Sequence, residues 1–272
     1  MRVNIAFGAT EDWLQYTRIT VASILANSNK EDEYHFYILS NNFSEQIKSV
    51  FMLLNKIRPA EYHFIQINDD EFEGAIHDWL GVSSSYRLKL SSLTDLDKVL
   101  YLDSDIIVLK DIAELYSYDI QNYYTAMVED KCSMMMRRRV NLREDQLFFN
   151  GGVSLMNLKA FREHNLEEKI FKILRESTFY TDQDVINDLC RDKILSLPLK
   201  WNVAWRPIKL DYTPATTLQD FVIYKGRHEE LLESQKDPAL IHYLQKPWKR
   251  PPDPSCYWRQ YLDLVLKLRY DE

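Results

Sequence analysis

Residues 98–109 read KVLYLDSDIIVL, an apolar run that two carboxylates interrupt before it resumes. A continuous run of Val, Leu, Ile and Tyr is typical of a strand buried on both faces of a parallel sheet. In a continuous strand Asp103 and Asp105 would point to the same side. Two buried carboxylates are costly unless a cation or several donors meet them, and one divalent cation can bridge both. We therefore predict a metal site at a strand end; the alternative is a strand that ends in a polar turn, with Asp105 capping the next element.

Hydrophobic periodicity before this run predicts alternating strands and helices. We expect strands at 2–7, 36–39 and 62–67, and helices at 13–26, 44–54 and 86–94. This alternation is typical of βαβ units, that is, of a parallel sheet flanked by helices. Ligands of such sheets bind beyond the carboxyl ends of the strands, where the strand order reverses. Gly8 and Asp103 both follow predicted strands, so we expect them at that edge.

The pattern is looser after residue 110. We expect a helical turn at 111–116, strands at 124–128 and 148–157, helices at 158–177 and 184–191, a loop from 198 to 214, and an amphipathic helix at 258–269. No repeat, low-complexity segment or linker interrupts the chain. The sequence therefore predicts one domain with an elaborated second half.

Composition excludes several classes of function. The chain has 272 residues and a formal charge of −7, which disfavours non-specific binding to nucleic acid or anionic lipid. Its three cysteines are widely spaced, which fits a reducing compartment rather than a disulfide scaffold or a structural zinc site. Met1 leads straight into strand-like residues, and no apolar run approaches the ~20 residues of a membrane span. We therefore expect a cytoplasmic protein without a signal peptide.

Only six glycines occur, and neither GxGxxG nor GxxxxGK[ST] is among the motifs. Residues 150–152 read NGG, which fits either a turn with positive φ or the close approach of a ligand ring to the backbone, with the Asn150 amide reading hydroxyls. Residues 181–184 read TDQD and fit a capping box at a helix start. The alternative is that Asp182 and Gln183 present polar groups to a bound sugar.

Basic side chains offer further candidates, each with a structural alternative. His242 ends an apolar run, and an imidazole that completes an Asp/Asp/His ligand set favours Mn²⁺ over Mg²⁺ bound by oxygen alone. Lys246 follows and can neutralise phosphate as a point charge. Arg87 is either an exposed arginine or a contact for phosphate or sugar. The three arginines at 137–139 are either a solvated face or a site for an anionic acceptor.

Together these motifs resemble glycosyltransferase family 8, the bacterial lipopolysaccharide galactosyltransferase, glucosyltransferase and glycogenin group. The matching segments, in the family's order, are residues 86–90, 98–109, 149–153, 182–184 and 242–248. The resemblance implies an α/β protein of the GT-A fold, with a Rossmann-like, mixed but mostly parallel sheet flanked by helices and an elaborated C-terminal half. It also implies a single domain over 1–272, with a nucleotide-binding half at 1–110 and a sugar- and acceptor-binding half at 111–272.

The resemblance further implies retaining transfer of galactose or glucose from a UDP-hexose donor to a hydroxyl of a saccharide or glycolipid, in the assembly of lipopolysaccharide or another surface polysaccharide. Asp103, Asp105 and His242 would hold Mn²⁺, or Mg²⁺, at the donor diphosphate. Lys246 would add positive charge there. The implied donor-binding residues are Ala6, Gly8, Thr10, Trp13, Arg87, Asp103, Ser104, Asn150, Gly151, Gly152 and Lys246.

Asp182 and Gln183, beside the donor sugar, are the implied catalytic residues. Retention through a protein nucleophile and retention by same-face attack, assisted by the leaving phosphate, both stay open. Two segments depart from the family pattern: Thr10 stands where an acid is common, and the segment from His242 to Lys246 is shorter than the common form and lacks its glycine.

Two other functions are compatible with these residues. A catalytically inactive sugar-nucleotide-binding or scaffold protein would account for the two departures. A phosphohydrolase of the haloacid dehalogenase type also places Asp-x-Asp after an apolar strand, but residues 106–107 are Ile-Ile where Thr or Val-Thr is expected. The C-terminal helix at 258–269 is aromatic and basic, so it is a candidate for weak contact with a membrane surface, such as the inner face of the cell membrane. Its alternating charges favour simple packing against the protein.

Overall fold

The structure is a computed structural model that describes residues 1–76, 81–130, 134–143, 146–208, 211–214, 226–243, 246–249 and 257–268. The strands are β1 (Arg2–Gly8), β2 (Glu33–Ser40), β3 (Glu61–Gln66), β4 (Lys98–Leu102), β5 (Ile106–Val108), β6 (Thr125–Glu129), β7 (Phe149–Asn157), β8 (Ile194–Leu197), β9 (Val203–Ile208), β10 (Asp211–Pro214) and β11 (Leu240–Tyr243). The α-helices are α1 (Leu14–Asn27), α2 (Glu45–Met52), α3 (Leu90–Leu93), α4 (Ile112–Tyr116), α5 (Met134–Arg139), α6 (Leu158–Glu163), α7 (Leu166–Glu176), α8 (Asp182–Leu189), α9 (His228–Lys236) and α10 (Tyr257–Lys267). Short 3-10 segments lie at Glu11–Trp13, Leu53–Lys56, Asp69–Phe72, Val82–Lys89, Arg191–Lys193, Leu199–Asn202 and Pro247–Lys249.

A seven-stranded sheet has the order β3-β2-β1-β4-β7-β6-β8, and a four-stranded sheet has the order β10-β9-β11-β5. In the larger sheet β3, β2, β1 and β4 are parallel, whereas β7 runs antiparallel to both of its neighbours. The predicted mixed, mostly parallel sheet is therefore confirmed. The chain moves from β1 to β2 on one side and returns to β4 on the other, so the switch point lies between β1 and β4. Ligands of doubly wound sheets bind at this position.

Apolar side chains cover both faces of the larger sheet. From β1, Val3, Ile5 and Phe7 join one buried cluster together with Ile24 of α1. Ala6 faces the opposite side and joins a second cluster that contains Ile170 of α7. Burial of both faces explains why the strands before residue 110 read as continuous apolar runs.

The apolar run over residues 98–109 does not form one continuous strand. The strand β4 ends at Leu102, the chain turns through residues 103–105, and β5 pairs with β11 in the other sheet. The apolar run resumes because β5 is buried again, in different surroundings. The polar-turn alternative is right about the turn, but the Asp105 carboxylate contacts His242 and Lys246 instead of capping a helix.

Two other segments differ from the sequence prediction. Residues 198–214, expected as a loop, contain β9 and β10, which pair antiparallel. Their prolines hid the strand pattern, although Val203 and Trp205 are alternate, buried residues of β9. The helix expected over 158–177 is divided into α6 and α7, because Asn165 adopts a left-handed conformation with φ of 50°.

The C-terminal helix packs as its charge pattern favoured. Trp258, Tyr261 and Val265 of α10 are buried, and Asn27 of α1 donates a hydrogen bond to the Tyr261 hydroxyl at 2.6 Å. Within the described ranges, none of the helices combines the length and the apolar character that crossing a bilayer requires.

Candidate active site

Three potential metal ligands converge at the carboxyl end of β4. Asp103 and Asp105 lie in the turn between β4 and β5, and His242 is brought to them because β11 pairs with β5. The His242 Nε2 atom is 3.3 Å from Asp105 Oδ1 and 3.8 Å from Asp103 Oδ2. One donor atom from each of the three residues lies within 4.8 Å of the others. The turn therefore brings Asp103 and Asp105 to the same place, as alternation along a strand was expected to do.

The second ring nitrogen of His242 fixes the orientation of the imidazole. Its Nδ1 atom is 3.0 Å from the Asn202 side-chain oxygen, which can only accept a hydrogen bond, so Nδ1 carries a proton. Asn202 in turn donates to the Asn150 side-chain oxygen at 2.9 Å. Burial lowers the pKa of His242, but the charges of Asp105 and Asp103 outweigh it and hold the pKa above its usual value. Because a metal ion binds neutral imidazole, the raised pKa increases the competition between a proton and a cation for Nε2.

Asp105 is ionised and already paired with a cationic side chain. Its carboxylate is only 2% exposed, and the Lys246 ammonium lies 2.7 Å from Oδ2. Burial alone would raise the pKa of Asp105, but His242 and Lys246 lower it to about 2. Asp105 thus carries a full negative charge at neutral pH.

The two adjacent glycines make room for these side chains. A Cβ on Gly152 would lie 2.5 Å from His242 Cε1 and 2.7 Å from Asp103 Oδ2. A Cβ on Gly151 would lie 2.5 Å from the Arg87 Nη2 atom. Neither glycine has a positive φ, so the turn interpretation is wrong; the close approach is real, but it is made by protein side chains.

Arg87 lies beside the cluster and is buried, which rules out the exposed-arginine alternative. Its guanidinium donates to the Gly151 carbonyl at 2.8 Å and to the Asp182 carboxylate. It also lies 3.7 Å from Asp103 Oδ1 and 5.0 Å from the centre of the Tyr101 ring. Burial raises the pKa of Asp182, while Arg87 opposes this by stabilising the carboxylate. The pair is a rigid, desolvated element next to the cluster.

Amide side chains form a polar wall beyond Arg87, supported by a residue that the sequence analysis missed. The Gln183 side-chain oxygen accepts from Gly151 N at 2.9 Å. The Gln183 and Asn150 amide groups both donate to Asp130 Oδ2, at 3.3 and 3.2 Å. The capping box predicted at residues 181–184 is present at the start of α8. It holds the segment that carries Gln183 in place.

The loop after β1 reaches the same region from the other side. The Trp13 ring lies 5.3 Å from the Lys246 ammonium and packs edge-on against Trp248 at 5.3 Å. The Thr10 hydroxyl bonds to the Asp12 carboxylate within this loop. A Cβ on Gly8 would lie 2.6 Å from the Ser83 carbonyl oxygen, so the end of β1 packs tightly against its neighbour. The structure therefore places Trp13 and Lys246 next to one another.

Two of the candidate donor-binding residues, Ala6 and Ser104, pack against other parts of the protein and not against the cluster of Asp103, Asp105 and His242. Ala6 is fully buried in β1, two residues before the strand ends. The Ser104 hydroxyl bonds with the Thr17 hydroxyl of α1 at 2.8 Å, and the Ser104 carbonyl accepts from Thr20 at 3.0 Å. These bonds anchor the turn that carries the two aspartates.

Comparison with known proteins shows what this chain is similar to. General stress protein A of Bacillus subtilis is 24% identical over 90% of this chain and 87% of its own length. A lipopolysaccharide 1,2-glucosyltransferase of Escherichia coli is 27% identical over 91% of this chain and 73% of its own. A crystal structure of the galactosyltransferase LgtC, in complex with donor and acceptor sugar analogues, superposes with a TM-score of 0.75 at 22% identity, covering 98% of this chain and 96% of that one. This likeness confirms the GT-A fold.

The sequence model of glycosyl transferase family 8 extends over residues 4–251 and so includes both aspartates of the β4–β5 turn, the glycine pair and His242. A match of this length leaves out only residues 1–3 and 252–272. The chain therefore belongs to glycosyl transferase family 8.

Proposed function

We propose that this protein transfers galactose or glucose from a UDP-sugar to a hydroxyl of a saccharide or glycolipid, with retention of anomeric configuration and with Mn²⁺. The observation that carries the proposal is the convergence of Asp103, Asp105 and His242 at the carboxyl end of β4. A diphosphate donor needs concentrated positive charge, and a protein of net charge −7 must provide it locally. Family membership favours transfer over the phosphohydrolase hypothesis.

The residues at the cluster fit a divalent cation. The His242 Nε2 atom faces two carboxylates. The Lys246 ammonium lies against the Asp105 carboxylate, so the surroundings of Asp105 favour positive charge. Two carboxylates and one imidazole suit Mn²⁺ better than Mg²⁺. When bound, the cation supplies Lewis-acid stabilisation of the charge that develops on a departing diphosphate.

Lys246 and Trp13 act on the nucleotide in this proposal. Lys246 is a point charge beside the cluster, so it stabilises the departing phosphate oxygens in the same way as other preorganised cations. The Trp13 ring, 5.3 Å from that ammonium, offers an aromatic face for the uracil. The Thr10 hydroxyl is the polar group of this loop available to the base edge.

The polar wall orients the donor sugar. Arg87 is held by Asp182 and Gly151, so its position does not depend on substrate. The amide groups of Asn150 and Gln183 are fixed through Asp130, which gives the sugar hydroxyls prepositioned partners. Asp182 and Gln183 are the proposed catalytic residues at this wall, Asp182 through its bond to Arg87.

The acceptor belongs, we propose, to lipopolysaccharide or another surface polysaccharide, assembled at the cytoplasmic face of the membrane. The relative in Escherichia coli is named a lipopolysaccharide 1,2-glucosyltransferase, and the LgtC crystals contain donor and acceptor sugar analogues. The exposed Tyr257 and Leu266 of α10 are the apolar groups that would make a weak membrane contact there.

Calorimetric titration of UDP, first with Mn²⁺ and then with a chelator, tests the proposal. We expect binding only with metal, and loss of both binding and turnover in Asp105→Asn. Asp97→Asn, a change at an exposed carboxylate outside the site, should leave both unchanged. Binding that is indifferent to metal would contradict the assignment of the cluster.

A panel of UDP-galactose and UDP-glucose then identifies the hexose, and NMR of the product reports its anomeric configuration. An inverted product would contradict the retaining mechanism. Metal-dependent UDP binding without turnover of either donor, with or without saccharide acceptors, would replace the transferase by the inactive sugar-nucleotide-binding alternative.

A further inference from the structure

A second group of metal-ligating side chains lies at the other end of the larger sheet. His35 of β2 is paired in register with Glu61 of β3, and Tyr37 is paired with His63. Alternate residues of a strand share a face, so Glu61 and His63 lie on the same face of β3. The three residues stand near the amino ends of their strands, away from the edge that carries Asp103.

The donor atoms of this group face one another. Glu61 Oε2 is 3.0 Å from His35 Nδ1 and 3.7 Å from His63 Nε2. One donor atom from each residue lies within 4.8 Å of the others. Ligands at about 2.0–2.1 Å from a tetrahedral zinc ion are separated by roughly 3.3 Å, and the two measured separations lie on either side of that value.

Two histidine nitrogens of this group are unsatisfied. His35 Nδ1 and His63 Nε2 are both buried from solvent and make no hydrogen bond to the residues that the structure describes. The 3.0 Å contact between His35 and Glu61 therefore lacks hydrogen-bond geometry. Buried nitrogens without partners are rare because desolvation costs free energy, and each one needs an explanation. A cation placed between the three side chains would bind both nitrogens and the carboxylate.

Burial favours the neutral form of His35, which is the form that binds metal. Burial lowers the pKa of His35, and the charges of Arg2 and His63 lower it further, against opposing effects of Glu61 and Glu33. Neutral imidazole is the form that binds a metal ion. The Arg2 guanidinium is itself occupied by Asn4 and by the Tyr37 hydroxyl, at 3.0 Å each.

Ring stacking holds the second imidazole in place. The His63 ring lies parallel to the Tyr37 ring at 4.5 Å and to the His35 ring at 5.8 Å. Glu61 is on the outer side, with 67% of its side chain exposed. The group thus offers three ligands, of which Glu61 is on an exposed side chain.

We propose that His35, Glu61 and His63 form a second metal site, which binds Zn²⁺ and is separate from the cluster at Asp103. Two imidazoles with a single carboxylate suit zinc, whereas the two carboxylates of the Asp103 cluster suit Mn²⁺. Bound zinc would connect β3, at the edge of the sheet, to β2. The site is independent of the transferase proposal, because it shares no residue with the other cluster.

Zinc titration of the full-length protein tests the site through stoichiometry. The wild type should bind two equivalents, one at each cluster. His63→Phe keeps a ring for stacking and removes the nitrogen, so it should lose one equivalent. Asp105→Asn should lose the other equivalent and keep the one under test. His164→Phe, a change at an exposed histidine on α6's C-terminal side, should still bind two.

A second variant and a spectroscopic readout complete the test. Glu61→Gln, at an exposed position, should weaken the same equivalent by at least about tenfold, since losing a ligand costs no less than losing an outer-shell partner. The imidazole NMR signals of His35 and His63 should shift with the first equivalents of zinc. Equal zinc stoichiometry and affinity in wild type, His63→Phe and Glu61→Gln, with unshifted signals, would overturn the proposal.

Discussion

Gly152 lies directly against the imidazole of His242: a Cβ at Gly152 would be 2.5 Å from the His242 Cε1 atom. Real Cβ atoms do not approach other atoms so closely, so any side chain here must displace His242 or Asp103. The glycine is therefore required by the positions of the proposed metal ligands rather than by its backbone conformation. This contact leads to the first prediction.

We expect Gly152→Ala to abolish metal-dependent UDP binding while the protein stays folded. The methyl group would push the imidazole away from the two carboxylates and separate the three ligands. Calorimetry with Mn²⁺ and UDP measures the loss, and far-UV circular dichroism checks the fold.

Gly74→Ala is the matched control. Gly74 has a φ of 69°, and apart from its chain neighbours no atom of the described residues lies within 4 Å of the Cβ position. Alanine there should cost about 1 kcal/mol of stability through backbone strain alone and leave UDP binding intact. Normal UDP binding by Gly152→Ala would refute the crowding argument.

Removal of the Asp182 side chain should strongly destabilise the protein. The Arg87 side chain is only 3% exposed, so Asp182→Ala leaves a buried guanidinium without its carboxylate, which typically costs about 3–5 kcal/mol. The exposed pair of Arg162 and Asp97, 3.1 Å apart, is the comparison, because Asp97→Ala should cost about 1 kcal/mol or less. Urea denaturation measures both, and equal losses would contradict the distinction.

Trp258→Ala should cost about 3–5 kcal/mol, as expected for truncation of a buried aromatic residue. Trp258 is 2% exposed and lies 4.9 Å from the ring of Trp248 and 6.4 Å from that of Tyr16. Leu266→Ala, on the exposed side of the same helix, should change stability by about 0.5 kcal/mol or less. Thermal unfolding compares them, and a Trp258 variant as stable as the Leu266 variant would mean that α10 is not packed as described.

Cys190 should resist alkylation in the native protein. Burial raises the pKa of its thiol to about 12, so at pH 8 only about one molecule in ten thousand carries the reactive thiolate. Labelling with iodoacetamide, followed by mass spectrometry, should modify Cys190 only after denaturant is added. As the pH is raised from 8 toward 12, residual labelling of the native protein should increase about tenfold per pH unit, because only the thiolate reacts. Rapid labelling at pH 8 without denaturant would contradict the burial.

The location of the site could be predicted because its polar residues interrupt apolar runs. Asp103 and Asp105 stand out since buried strands rarely contain carboxylates, and the rule for parallel sheets places them at the ligand-binding edge. The polar-turn alternative included a turn here, but its passage from one sheet to the other could not be predicted, because β4 and β5 are equally apolar and only their pairing partners distinguish them. Asp130 lies two residues after the strand predicted at 124–128, so the same rule, applied again, would have found it.

No comparable pattern in the sequence marked Asn202 as a residue of the site. It lies in a stretch where prolines and aromatics hide the strand pattern of β9, and asparagine is ordinary in loops. Its importance comes from the hydrogen bond to His242, a contact between distant parts of the chain that local periodicity cannot report. The glycine pair could be recognised from the sequence, because two adjacent glycines are conspicuous in a chain that has only six. Which side chains fill the space beside them could not, because that depends on the positions of Arg87 and His242.

The turn between β4 and β5 also sets an order of events during synthesis. The parallel strands β1 to β4 come first from the ribosome and can pair early, since folding proceeds from the N-terminal side as the chain is made. At that stage Asp103 and Asp105 are present, but their histidine is not, because it arrives with β11. A nascent chain therefore carries two carboxylates without the proposed third ligand, and we expect loading of the proposed metal ion to follow translation of β11.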